Sequence, residues 1–87
     1  MDVVTRAKSY LEATRRAPRM FATTREAMMC HVTSVVCVLV DDFNAHDFWA
    51  KHLGTYGNTY VGILDVPEDD WAKGVIDDAL KIIEEES

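Results

Sequence analysis

Fourteen consecutive residues, Ala27–Val40, carry no Asp, Glu, Lys or Arg. In a soluble chain such a run would expose a large apolar patch unless other parts of the fold cover it, so it predicts a central buried element. The preceding Thr23-Thr24-Arg25-Glu26 reads as a capping box, with Thr23 as N-cap and Glu26 answering from N3. Six of the nine residues Val32–Val40 are β-branched, as a buried strand would be. The box, the helix formers Ala27, Met28 and Met29, and the length of the run favour a helix that is apolar nearly all round. A strand over residues 32–40 stays open as the alternative.

Three further segments carry helix signals. Val3, Val4, Ala7, Tyr10, Leu11 and Thr14 recur at helical spacing behind Asp2, a fitting N-cap, and the segment must end before Pro18. Asn44 caps another segment with Asp47 at N3. Phe43 and Phe48 stand where a hydrophobic staple puts its two residues, and Gly54 marks the stop. A last helix opens with Pro67 at N1 and Glu68, Asp69 and Asp70 at its positive end. Its expected buried stripe is Trp71, Val75, Ala79 or Leu80, and Ile83, with an outer i,i+4 ladder of Asp69, Lys73, Asp77 and Lys81. Residues 54–62 hold three of the four glycines and read as a loop; residues 60–66 read as a short strand or a packed extended segment. The expected fold is all-α, three to four helices in one domain over residues 1–87. The alternative is a small α+β domain with strands near 32–40 and 60–66.

Charge is divided unevenly along the chain. Residues 1–26 hold six cations (Arg6, Lys8, Arg15, Arg16, Arg19, Arg25) against Asp2, Glu12 and Glu26, a local net of +3. Residues 27–87 hold Lys51, Lys73 and Lys81 against twelve carboxylates, a local net of −9, and together these give the overall −6. Opposite fields attract, within one fold or between subunits. The 48% hydrophobic content exceeds what the thin core of an 87-residue chain needs, which points to an oligomer, with a homodimer as the expected state. An acidic chain makes a poor phosphate binder, so no nucleic-acid partner is expected. The uncharged run is too short to cross a bilayer and the start lacks a signal-peptide pattern, so no membrane association and a cytoplasmic location are expected. Cys30 and Cys37 lie about 10 Å apart along a helix, too far for an internal disulfide, and read as buried thiols, with a bridge between subunits as the lesser alternative.

The stretch Leu11-Glu12-Ala13-Thr14-Arg15-Arg16-Ala17-Pro18-Arg19-Met20-Phe21 resembles the E-A-x-R-[KR]-x-P-G-M-[YF] segment near the start of gyrase-type ATPase domains. A similar R-x-P-x-M-[YF] turn occurs in small uncharacterised bacterial proteins. Glu12, Ala13, Arg15, Pro18, Met20 and Phe21 match, and Arg19 replaces the glycine. The nucleotide motifs of the ATPase are missing, so the resemblance implies no ATPase activity. It implies a helix, a proline turn, Met20 and Phe21 tucked onto the core, and Arg15 or Arg16 near a partner.

No catalytic constellation follows from the remaining residues, and neither an enzyme nor a cofactor is expected. His46 and His52 lack the spacing of a zinc motif, as does the pair Asp42 and His46. His31 reads as a hydrogen-bonded core or interface residue. The expected role is a non-catalytic, self-associating protein-interaction module. Its candidate contacts are Arg15, Arg16, Arg19, Met20 and Phe21 on the basic turn and Glu84, Glu85 and Glu86 on the acidic tail, which should meet within one subunit or across a dimer. One alternative is an acidic inhibitor, an immunity protein or antitoxin, of a basic partner. Another is a small-molecule-binding domain whose pocket is lined by Trp49, Tyr56, Tyr60 and Trp71.

Overall fold

The computed structural model describes residues 2–86. Its order is α1 Val3–Arg16, α2 Pro18–Phe21, α3 Arg25–Leu39, α4 Ala45–Leu53, a hairpin of β1 Thr55–Tyr56 and β2 Thr59–Tyr60, and α5 Asp69–Glu86. The protein is therefore all-α apart from that two-residue-deep antiparallel hairpin, in which Thr55 pairs with Tyr60 and Tyr56 with Thr59. The 32–40 segment is helical to Leu39, and of 60–66 only Tyr60 belongs to a strand. The radius of gyration is 12.5 Å, against about 12 Å for a compact domain of this length.

α1, α3 and α4 start where a side chain meets free N–H groups of the first turn. Asp2 caps α1 by accepting from the Thr5 N–H at 2.8 Å, and Asn44 caps α4 by accepting from the Asp47 N–H at 3.0 Å. The Phe43–Phe48 staple forms, with ring centroids 5.4 Å apart. Gly54 ends α4 at φ +80°, a conformation that costs a side-chain-bearing residue dearly.

The cap of α3 differs from the expected box by one residue. Thr24, not Thr23, is the N-cap, accepting from the Ala27 N–H at 3.1 Å. With Thr24 as N-cap the N3 position falls on Ala27 rather than Glu26, and the Arg25 and Glu26 N–H groups donate to the Asp65 and Ile63 carbonyls, both at 2.9 Å. A loop more than thirty residues away in sequence thus closes the helix end, something no local motif encodes. Thr24→Ala is expected to cost about 1 kcal/mol in urea denaturation, whereas Thr23→Ala, whose side chain is exposed, should cost close to nothing. Equal losses would restore Thr23 as the cap.

Pro67 is likewise not at N1: α5 begins at Asp69, and Pro67 lies buried in the approach to it. The core is built on the facing sides of α3 (Met28, Met29, Val32, Val36) and α5 (Ala72, Val75, Ile76, Ala79, Ile83), closed by Leu11 of α1 and by Phe48 and Leu53 of α4. Two buried hydroxyls satisfy themselves locally: Thr14 donates to the Tyr10 carbonyl at 2.9 Å and Thr33 to the Met29 carbonyl at 2.6 Å. Trp71, expected in the α5 stripe, is only half-buried, and Ala72 and Ile76 fill that face.

α1 runs antiparallel to α5. Lys8 lies 3.3 Å from Glu84, and seven residues on, Arg15 grips Asp77 at 2.7 Å through Nε and at 3.2 Å through Nη2. This pairing takes Asp77 out of the expected outer ladder of α5. Among the described residues, no helix is long and apolar enough to cross a membrane.

Candidate functional site

α1 carries two apolar stripes. Leu11 and Thr14 face the core, while Val3, Ala7 and Tyr10, at i, i+4 and i+7, run beside them toward the surface. On α3 the core face is flanked by half-buried Val35 and Leu39, and Val38 is 74% exposed. Between the two helices lies an open groove of about 480 Å³ lined by Val3, Ala7, Tyr10, Val35, Val38 and Leu39, with Arg6 as the one charged side chain among its described lining residues. Beyond the groove, Ala27, Cys30, Ser34 and Cys37 continue the outward side of α3. Both cysteines are exposed free thiols, which corrects their expected burial. α3, apolar nearly all round as expected, is buried on one face only.

The end of this groove is closed by aromatic contacts. The Tyr10 hydroxyl is hydrogen-bonded to His31, and Phe21 meets the Tyr10 ring edge-on with centroids 5.8 Å apart. Phe21 therefore does pack, though against α1 and α3 side chains rather than inside the core. Met20 does not: it is 86% exposed, contrary to the implied tucking. The short helix α2 turns its Pro18 inward and thrusts Arg19 and Met20 out.

The basic turn and the acidic tail do not meet within one chain. With α1 antiparallel to α5, Arg15 is already beside Asp77, so Arg16, Arg19 and Met20 lie toward the start of α5. Glu84, Glu85 and Glu86 lie at its other end, where Lys8 takes Glu84. Among the described residues, Arg16, Arg19, Glu85 and Glu86 have no ionic partner.

The other side of α5 faces α4. Lys51 and His52 both reach Asp78, at 2.9 and 2.8 Å. Burial pushes the Asp78 carboxyl up, but the hydrogen bonds from Lys51 and His52 together outweigh it and hold the group below its usual 3.8. Next to this triad opens a groove of about 450 Å³ whose walls are Asp42, Asp47, Glu85 and Glu86 and whose floor includes Phe43 and Ile82.

The four aromatics expected to line one pocket are divided. Trp49 and Tyr60 stack obliquely, centroids 5.3 Å apart, and with His46 and Ala45 line a shallow cleft of about 280 Å³. Trp71 is elsewhere, donating to the His52 carbonyl at 2.8 Å while the Arg25 guanidinium lies 5.0 Å from its ring centre. Tyr56, at the hairpin tip, is 84% exposed. The Arg25 side chain also closes on Gly62, where an added Cβ would stand 3.0 Å from Asp65 and 3.3 Å from Arg25. These contacts anchor the 62–65 loop that caps α3. Among the described residues, no group of three or more His, Cys, Asp or Glu side chains is arranged to hold a metal.

His31 gives the α1/α3 face a pH dependence. Burial lowers its pKa below the ordinary 6.5 by disfavouring the charged imidazolium. The unfolded chain then binds more protons than the folded one, so stability is fully present above pH 6.5 and falls as pH drops through the folded-state value. Urea midpoints should decrease from pH 8 to pH 5.5 more in the parent than in His31→Gln. A variant that tracks the parent would assign the slope to other groups.

Sequence reasoning missed the groove because it took Val3, Val4, Ala7, Tyr10, Leu11 and Thr14 only as evidence of helical spacing and did not divide them between faces. The available signal was the width of that pattern: five apolar positions and a threonine spread over more than one helix face of a small domain. Compared with known proteins, the chain matches no family model, no curated protein and no solved structure.

Proposed function

We propose that this chain is a non-catalytic protein-interaction module that pairs with a second copy of itself through the α1/α3 face. The observation that carries the reading is the apolar groove between Val3, Ala7 and Tyr10 of α1 and Val35, Val38 and Leu39 of α3, continued by the uncharged outer side of α3. Contiguous apolar surface of this kind marks an interaction site, and closed twofold pairing is the commonest way to cover it. The face is two helices wide and as long as α3, about 20 by 22 Å. A standard interface takes about 800 Å² of accessible surface from each partner, and this face, about 440 Å² in flat projection, would supply the central part of one.

The groups with shifted pKa values have structural explanations: Asp2 accepts from the Thr5 N–H as the α1 cap, Asp78 is paired with Lys51 and His52, Arg15 with Asp77, and His31 is partly buried beside Tyr10. The exposed thiols of Cys30 and Cys37 suit a reducing, cytoplasmic setting. The test is light scattering in high salt over a concentration series, with alkylation of the two thiols followed in parallel. Mass should approach twice 9.8 kDa at micromolar concentration, and alkylation should slow as pairing covers α3. A monomer up to millimolar concentration overturns the reading.

A further inference from the structure

We infer that the groove between α4 and α5 receives the basic α1–α2 corner of another copy of this chain. The inference rests on the self-association reading above but uses a different surface. The groove has an apolar floor, Phe43 and Ile82, between walls bearing Asp42, Asp47, Glu85 and Glu86. Its one cation, Lys51, is already engaged by Asp78. The site thus asks for an apolar side chain flanked by positive charge.

The chain carries such a group on its own surface. Met20 is 86% exposed, and it stands beside Arg19 and close to Arg16 on the α1–α2 corner. Neither arginine has an ionic partner among the described residues. A flexible methionine fills an irregular apolar floor, and guanidinium groups grip carboxylates through paired N–H bonds. Methionine and arginine are also enriched at protein interfaces.

Geometry excludes the same contact within one molecule. Arg15 pairs with Asp77, which places Arg16, Arg19 and Met20 toward the start of α5, against which α2 packs. The groove lies along Asp78, Ile82, Glu85 and Glu86, running to the other end of that helix. From Asp77 to Glu86 the rise is about 14 Å, so the corner points away from its own groove. A contact between unlike surfaces does not close on itself as a twofold does; it extends into rings or chains of copies. A contact held by one methionine and a few surface ion pairs belongs with weak, transient interfaces and depends on ionic strength.

The experiment is light scattering of the full chain at low and high ionic strength, with two charge-reversal variants. At about 0.01 M salt, where charges reach about 30 Å, the mass should climb past that of the dimer as concentration rises. At about 1 M salt the growth should vanish, leaving the species set by the α1/α3 face. Arg16→Glu with Arg19→Glu, or Glu85→Lys with Glu86→Lys, should each weaken the low-salt growth at least tenfold. All four side chains are exposed and lack intramolecular partners, so both variants should melt like the parent. Mixing the two should restore growth, because the basic corner of the second fits the acidic groove of the first. Salt-independent mass in the parent, growth undiminished in either variant, or no restoration on mixing would each overturn the inference. Capture of an arginine-rich peptide by the groove without growth of the parent would also overturn it, in favour of an outside basic partner. A monomer at high salt would count against the α1/α3 dimer alone, so the two readings fail separately.

Discussion

Val36→Asp is expected to abolish cooperative folding. Val36 is fully buried on α3, among the residues that meet α5 at the centre of the core. Removing its side chain from the core forfeits about 1.5–3 kcal/mol of apolar burial. The carboxyl group that replaces it has no hydrogen-bonding partner in that apolar setting. Burying it in neutral form costs a further 2–7 kcal/mol or so, and burying it charged costs more. A domain of this length has about 4–13 kcal/mol of total stability, so the substitution consumes most or all of it. Far-ultraviolet circular dichroism should show loss of helix at room temperature, or a melt without a cooperative transition. A folded Val36→Asp protein melting within a few degrees of the parent would mean that α3 is not the central element.

How much of this arrangement was legible in the sequence depended on how local its cause was. The α4 unit was readable in full, since Asn44, the Phe43–Phe48 staple and Gly54 act within eleven residues of one another. So was the helical nature of α3, because fourteen uncharged residues behind a threonine cap outweigh the β preference of its valines. What failed was decided at a distance. By pattern Glu26 points to Thr23 as the cap, yet Thr24 holds it and the 62–65 loop offers carbonyls to the Arg25 and Glu26 N–H groups. Pro67 suits N1, yet its side chain is buried ahead of the helix and α5 starts two residues later.

The candidate contacts were legible only as types of residue. An uneven charge distribution announces attraction between the basic and acidic segments, but the antiparallel course of α1 and α5 decides that Arg15 meets Asp77 and Lys8 meets Glu84. Apolar content likewise announces burial without saying which side is covered. Cys30, Cys37 and Val38 looked like core residues because α3 is apolar on every side. A run without charged punctuation, whose His31, Thr33 and Ser34 fall on different sides, does not mark which stripe faces α5. Aromatic residues close in sequence were grouped into one pocket, whereas α4 sends Trp49 to Tyr60, and the Trp71 indole reaches back to the His52 carbonyl.

The ambiguity of α3 supplies the second large prediction, made two residues from the first. Val38→Asp places the same carboxylate on the same helix, but at a position that is 74% exposed beside the α1/α3 groove. In a single chain the new charge remains hydrated, and surface changes of this kind alter stability by about 0.5 kcal/mol or less. The melt should therefore stay close to that of the parent. In the proposed dimer the carboxylate would lie in an apolar interface, near its own copy if the twofold passes close by. Desolvation of an unpaired charge there costs several kcal/mol, and each 1.4 kcal/mol is tenfold in affinity. Dimer affinity should fall at least a hundredfold, giving a monomer of 9.8 kDa at concentrations where the parent is paired. Alkylation of Cys30 and Cys37 should then become independent of concentration. If Val38→Asp lowers stability as far as Val36→Asp does, the outward side of α3 is a core face. If it leaves a dimer of unchanged affinity, the pairing surface lies elsewhere on the molecule.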